Sequence, residues 1–130
     1  MYLVDTSVWV EIFSGTAVGE RAKELLKKSE GVALEITFAE LAKWCIANGR
    51  RPGEIEPFLQ QSCNAIVANS RSEFLHAGEL WHEVNSKNSS GRPVGLIDCI
   101  IASCAEENNF IVLAKDRHFL NFENIQKEMI

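Results

Sequence analysis

The sequence has no apolar run long enough to cross a bilayer, which takes about 20 residues. Asp5 and Glu11 interrupt the one N-terminal stretch that could begin such a run, and no basic segment precedes it. Neither a signal peptide nor a membrane span is expected, which makes the cytoplasm the expected compartment. Cysteine is sparse as well. Cys45, Cys63, Cys99 and Cys104 show no Cys-x-x-Cys spacing and sit inside apolar periodic stretches, so reduced core residues are expected rather than zinc ligands or a disulfide framework. Positive charge is scarce, with 13 Lys and Arg against 18 Asp and Glu and a net charge of −5. On its face that opposes a nucleic-acid partner, because phosphate binding is driven by Lys and Arg. Repeats, low-complexity tracts and interdomain linkers are also missing, and neither Ser7 nor Ser103 has the paired His that a nucleophile–base arrangement needs.

What is present suits one globular domain spanning residues 1–130, with 46% hydrophobic and 24% charged residues. Short β-rich runs alternate with helical patterns, the arrangement of a parallel sheet covered by helices. "YLV", "GVALE", "NAIVA" and "FIVLA" read as strands, and "ENIQKEMI" as an edge strand or tail. Helices are expected over "SVWVEIFSG", "GERAKELLKKSE", "TFAELAKWCIANG", "EIEPFLQQ", residues 70–85 and "LIDCIIASCAEENN", with "DRHFL" as one further turn. On the helix over 70–85, Phe74, Ala77, Gly78, Trp81 and Val84 fall on one face and should be core or partly a subunit interface. "NSKNSSGRPVG" reads as a flexible loop able to move over a site. The expected fold class is α/β, a three-layer α/β/α sandwich around a mainly parallel sheet of four to five strands.

Four carboxylates stand where apolar chain would be expected. Asp5 follows the first strand, and ligand crevices of open parallel sheets lie outside the carboxyl ends of strands. Asp98 interrupts "GLIDCIIAS", and Asp116 ends "FIVLAK". Ten helical residues after Asp98 advance about 15 Å. A following strand returns about 16 Å, so Asp116 should come back beside Asp98. Glu40 begins a helix at the same sheet edge, although Thr37 to Glu40 also matches a capping box. Capping explains each acid singly but gives no reason for four at one edge. Packed like charges need a divalent cation, and oxygen ligands without an accompanying His or Cys pattern point to Mg²⁺ or Mn²⁺. Such an ion orients a phosphate, activates a water and offsets charge in an in-line displacement, so phosphodiester hydrolysis is the expected reaction. His76 and His82 read as surface residues of a long helix, and His118, two residues past Asp116, as a residue able to support the acids.

The motifs "YLVDTSVWVEIF", "ITFAEL" and "GLIDCIIASCAEENNFIVLAKDRHF" resemble, in order and spacing, those of the PIN domain family, and more closely its VapC-type toxin ribonucleases. The resemblance implies a metal-dependent endoribonuclease, a homodimer, and inhibition by a small antitoxin. It implies Asp5 and Asp98 as principal metal ligands, Glu40 and Asp116 as the third and fourth acids, and Thr6 and Ser7 as hydroxyls orienting a carboxylate or phosphate. One position departs: Ala114 stands where many relatives carry Thr or Ser, which keeps a catalytically silent interaction module open as an alternative. A Mg²⁺-dependent phosphoacceptor of the receiver kind is the other alternative, but "GVALE" and "NAIVA" end without the Asp it needs. Arg50, Arg51, Arg92, Lys115 and Arg117 are the cations available for phosphate contacts, Arg92 and Lys115 foremost. Trp44 and Leu80 are expected to be exposed, as a groove for an antitoxin peptide.

Overall fold

The computed structural model describes residues 1–88 and 91–130, and at its centre lies a sheet of five parallel strands. They are β1 (Tyr2–Val4), β2 (Gly31–Leu34), β3 (Ala65–Val67), β4 (Ile111–Ala114) and β5 (Gln126–Met129), in spatial order β3-β2-β1-β4-β5. β1 is buried throughout, as a central parallel strand covered on both faces must be. Its apolar residues alternate in direction. Leu3 joins Val32, Leu34, Val112 and Ala114 in the core on one face, while Tyr2 and Val4 join Ala33 and Leu113 on the other.

Among the described residues six α-helices cover these faces: α1 (Thr6–Ser14), α2 (Ala17–Lys28), α3 (Ile36–Ala47), α4 (Ile55–Ser62), α5 (Arg71–Lys87) and α6 (Leu96–Asn108). The first four supply the core with Val8, Trp9, Ala22, Leu41 and Leu59. The opposite layer comes from α5 and α6 with Ala77, Leu80, Val84, Ile101 and Ala105. The three-layer α/β/α expectation is met, with every strand pair parallel. From β1 the chain steps outward through β2 to β3 and then returns across β1 to β4. The sheet order therefore reverses between β1 and β4, which is where a crevice opens at the carboxyl ends of the strands.

Three expectations need correction. The inward face of α5 is Glu73, Ala77, Leu80 and Val84, so Leu80 is buried, whereas Phe74 is half exposed. Glu73 turns inward because it closes a capping box with Ser70 and accepts from Asn69 Nδ2 at 2.9 Å and Asn108 Nδ2 at 3.1 Å. The Thr37–Glu40 capping box does not form: α3 begins after Glu35, which makes no side-chain cap. Finally, the expected loop is shorter than "NSKNSSGRPVG". Helix α5 runs on to Lys87, and the Asn85 amide grips Val94, donating to its carbonyl at 3.2 Å and accepting from its N–H at 2.7 Å. Ser89 and Ser90 of that segment lie outside the described residues. The four cysteines are free, and three of them are buried. No helix among the described residues is long and apolar enough to cross a membrane.

Candidate active site

Asp5 is the first residue past β1. Its backbone N–H still bonds Leu113 O at 2.9 Å, so the sheet fixes where its side chain starts. It also caps α1: Oδ2 accepts from Ser7 N at 3.0 Å and from the Ser7 hydroxyl. That hydroxyl in turn accepts from Lys115 N at 3.2 Å, tying the start of α1 to the end of β4. Asp5 is therefore both a cap and a cleft residue. Asp116 likewise caps a 3₁₀ turn, accepting from His118 N at 2.9 Å.

Glu40 reaches the same place from the first turns of α3, where its Oε1 accepts from Thr6 Oγ1 at 2.6 Å. Asp98, in the first turn of α6, makes no cap. Its Oδ2 instead faces His118 Nδ1 at 3.3 Å, and that nitrogen is also 3.6 Å from Asp116 Oδ1. Asp116 has returned beside Asp98 as the helix-and-strand lengths require. Asp5, Thr6, Ser7, Glu40, Asp98 and Asp116 all line one cleft of about 530 Å³. Thr6 and Ser7 use their hydroxyls to hold Glu40 and Asp5. Lys115 and Arg92 do not line the cleft; Lys115 Nζ instead pairs with Glu11 Oε1 at 2.5 Å.

The cleft makes Asp5 and Asp98 hard to ionise. Asp5 is 4% exposed, and burial raises its pKa from 3.8 to about 6 against the Ser7 hydrogen bonds, with the Glu40 and Asp116 charges pushing the same way as burial. Asp98 rises to about 7, first through burial and then through the Asp5 and Asp116 charges, with His118 pulling it back. Two carboxyls this poorly served by their surroundings fit a divalent cation, which supplies the missing positive charge. Ligand atoms of Asp98, Asp116 and His118 already lie within 4.8 Å of one another. These carboxylate oxygens with one adjacent imidazole form a donor set able to hold a divalent cation. The sequence places His118 only near Asp116, because nothing in "DRHFL" shows that the turn folds back toward α6.

The PIN domain family model matches residues 2–125. VapBC2 from Rickettsia felis, bound to a DNA fragment from their promoter, superposes with a TM-score of 0.75 at 23% identity, covering 99% of this chain and 98% of that one. DNA-bound VapBC from Salmonella typhimurium gives 0.75 at 23% identity over 98% and 96% of the chains. A toxin–antitoxin complex from Klebsiella pneumoniae gives 0.71 at 18% identity over the full length of both. At these identities the structures speak for the fold alone. No curated protein matches the sequence.

Proposed function

The chain belongs to the PIN domain family, and from that premise we propose that it is a metal-dependent endoribonuclease of the VapC type, the toxin of a toxin–antitoxin pair. The observation that carries the reading is the convergence of Asp5, Glu40, Asp98 and Asp116, from four separate elements, on one cleft at the carboxyl ends of β1 and β4. Asp5 and Asp98 would hold Mg²⁺, or Mn²⁺ in its place, with Glu40 and Asp116 completing the acid set. When bound, the ion polarises a phosphate and lowers the pKa of a coordinated water.

The protein's part is orientation. Ser7 pins Asp5 by two hydrogen bonds, Thr6 pins Glu40 across 34 residues of sequence, and His118 spans Asp98 and Asp116. Holding the carboxylates before the substrate arrives removes the cost of reorganising them during the reaction. Glu40, half buried in the cleft wall, would help ligate the ion or position the attacking water. Ala114 buries its methyl group in the core beneath α5 and α6, so the missing hydroxyl leaves the bonds to Asp5 and Glu40 intact.

The antitoxin partner is suggested by the solved structures of similar fold, which are toxin–antitoxin complexes. Homodimer formation is supported by apolar side chains left in solvent on α5 and α6, among them Phe74, Leu75 and Leu96. Action in the reducing cytoplasm accords with four unbonded cysteines. The test is cleavage of RNA by the purified chain in Mg²⁺. Asp5→Asn and Asp98→Asn should each lower the rate at least 100-fold, on the order of removing a main electrostatic contact, with the circular dichroism spectrum of the wild type. Cleavage by Asp98→Asn at the wild-type rate, or undiminished wild-type cleavage in EDTA, would overturn the reading.

A further inference from the structure

The cleft is larger than its acids need. Beyond Glu40 it continues along α3 past Lys43, Trp44 and Ala47, with Val10 of α1 on the facing wall. Glu40, Trp44 and Ala47 are spaced by four and three residues, so one face of α3 carries the acid at one end and an apolar strip at the other. Four residues of helix advance about 6 Å, so the indole begins about one turn from the carboxylates. Trp44 is half buried and braced by neighbouring rings: it meets Phe13 edge-on at 6.0 Å, and Phe13 meets Phe58 at 4.9 Å. The Arg50 guanidinium lies 4.2 Å from the Phe13 centroid and 6.0 Å from that of Trp44. Lys43 makes no ion pair with any described residue and is the sole cation lining this otherwise acidic cleft.

We infer that the Trp44 wall is a nucleobase subsite: the base next to the scissile phosphate stacks on the indole while Lys43 meets the adjoining phosphate. The inference rests on the ribonuclease reading and deepens it by assigning the base contact beside the scissile bond to Trp44. A phosphate held by a cation that the acids bind would carry its nucleotide within reach of this wall, and an indole fixed by neighbouring rings offers stacking at little entropic cost. In a duplex the base faces are already stacked on one another, so only a loop, bulge or single strand can present one. An acidic chain gains little from general phosphate attraction, which leaves stacking as the main source of affinity.

The experiment measures binding and cleavage separately, using a short single-stranded oligoribonucleotide, the same strand with one abasic residue beside the cleavage site, and a duplex control. Binding is read by fluorescence anisotropy in Ca²⁺. Trp44→Ala should weaken binding to the intact strand about 5- to 150-fold, and Trp44→Phe should retain most of it. The abasic strand should bind the wild type and Trp44→Ala equally weakly, because the two changes remove the same contact. Equal binding of the intact strand by Trp44→Ala, or independent multiplying losses from the variant and the abasic residue, would overturn the inference and assign the wall to a protein partner. If Trp44→Ala does not fold, the wild type with the abasic strand decides alone. Selective binding without cleavage by the wild type would sink the nuclease reading and keep the subsite; cleavage indifferent to Trp44 and to the base would do the reverse; no binding would sink both.

Discussion

Asp5 and Asp98 carry a cost that the metal-free chain cannot avoid. Their folded pKa values lie above those of free carboxyls, so the folded state holds its protons more tightly than the unfolded state. Stability is therefore unpenalised below about pH 4 and falls as pH rises through the folded values near 6 and 7. For Asp5 the loss is roughly 3 kcal/mol once it is ionised. In EDTA, Asp98→Asn should match the wild type at pH 4 and melt at a higher temperature than it at pH 8; equal melting at both pH values would contradict the assignment. The sequence makes part of this site legible, since an apolar strand running into Asp5 is a strong local signal and the lengths of α6 and β4 suffice to bring Asp116 back to Asp98. Glu40 was ambiguous because Thr-x-x-Glu satisfies a capping rule locally. The hydroxyl that claims it, on Thr6, is remote in sequence. His118 was harder still, as its orientation depends on a short turn that no periodicity describes.

Helix α2 is held against α1 by a contact that the sequence pattern does not announce. A Cβ on Gly19 would lie 2.2 Å from Glu11 O, so the glycine is there to let two helices approach. Gly78, on the open side of α5, has nothing within 4 Å of the same atom. The two glycines should respond oppositely to alanine. Gly19→Ala should lose about 1–3 kcal/mol through overpacking, and Gly78→Ala should gain up to about 1 kcal/mol from helix propensity, both read by urea denaturation. A stabilised Gly19→Ala would show that α2 is not pressed on α1 as described. Strand and helix order is readable because β1, β2 and β4 are fully apolar and α1, α2 and α5 carry side-chain caps from Asp5, Thr16 and Ser70. The face of α5 is not, because its buried Glu73 adds to the local bonds from Asn69 and Ser70 one from Asn108, which is remote in sequence.

Across the whole molecule, the net charge of −5 weighs less against an anionic partner because four of the acids line one cleft, which leaves the rest of the surface close to neutral. The reversal of sheet order beside β1 explains why these acids meet. Strand ends β1 and β4 are neighbours there, and α3 and α6 start within reach. Partner surfaces are less legible, because exposed Phe74, Leu75 and Leu96 give no periodic signal distinguishing an interface from a core stripe. Binding of a cation to the folded state should also raise its stability. The most direct measurement is calorimetric titration of the metal-free chain with Mn²⁺ at pH 7.5. Saturable binding by the wild type, lost in Asp98→Asn, is the predicted result; a folded wild type that takes up no Mn²⁺, or a variant that binds it equally well, would contradict it.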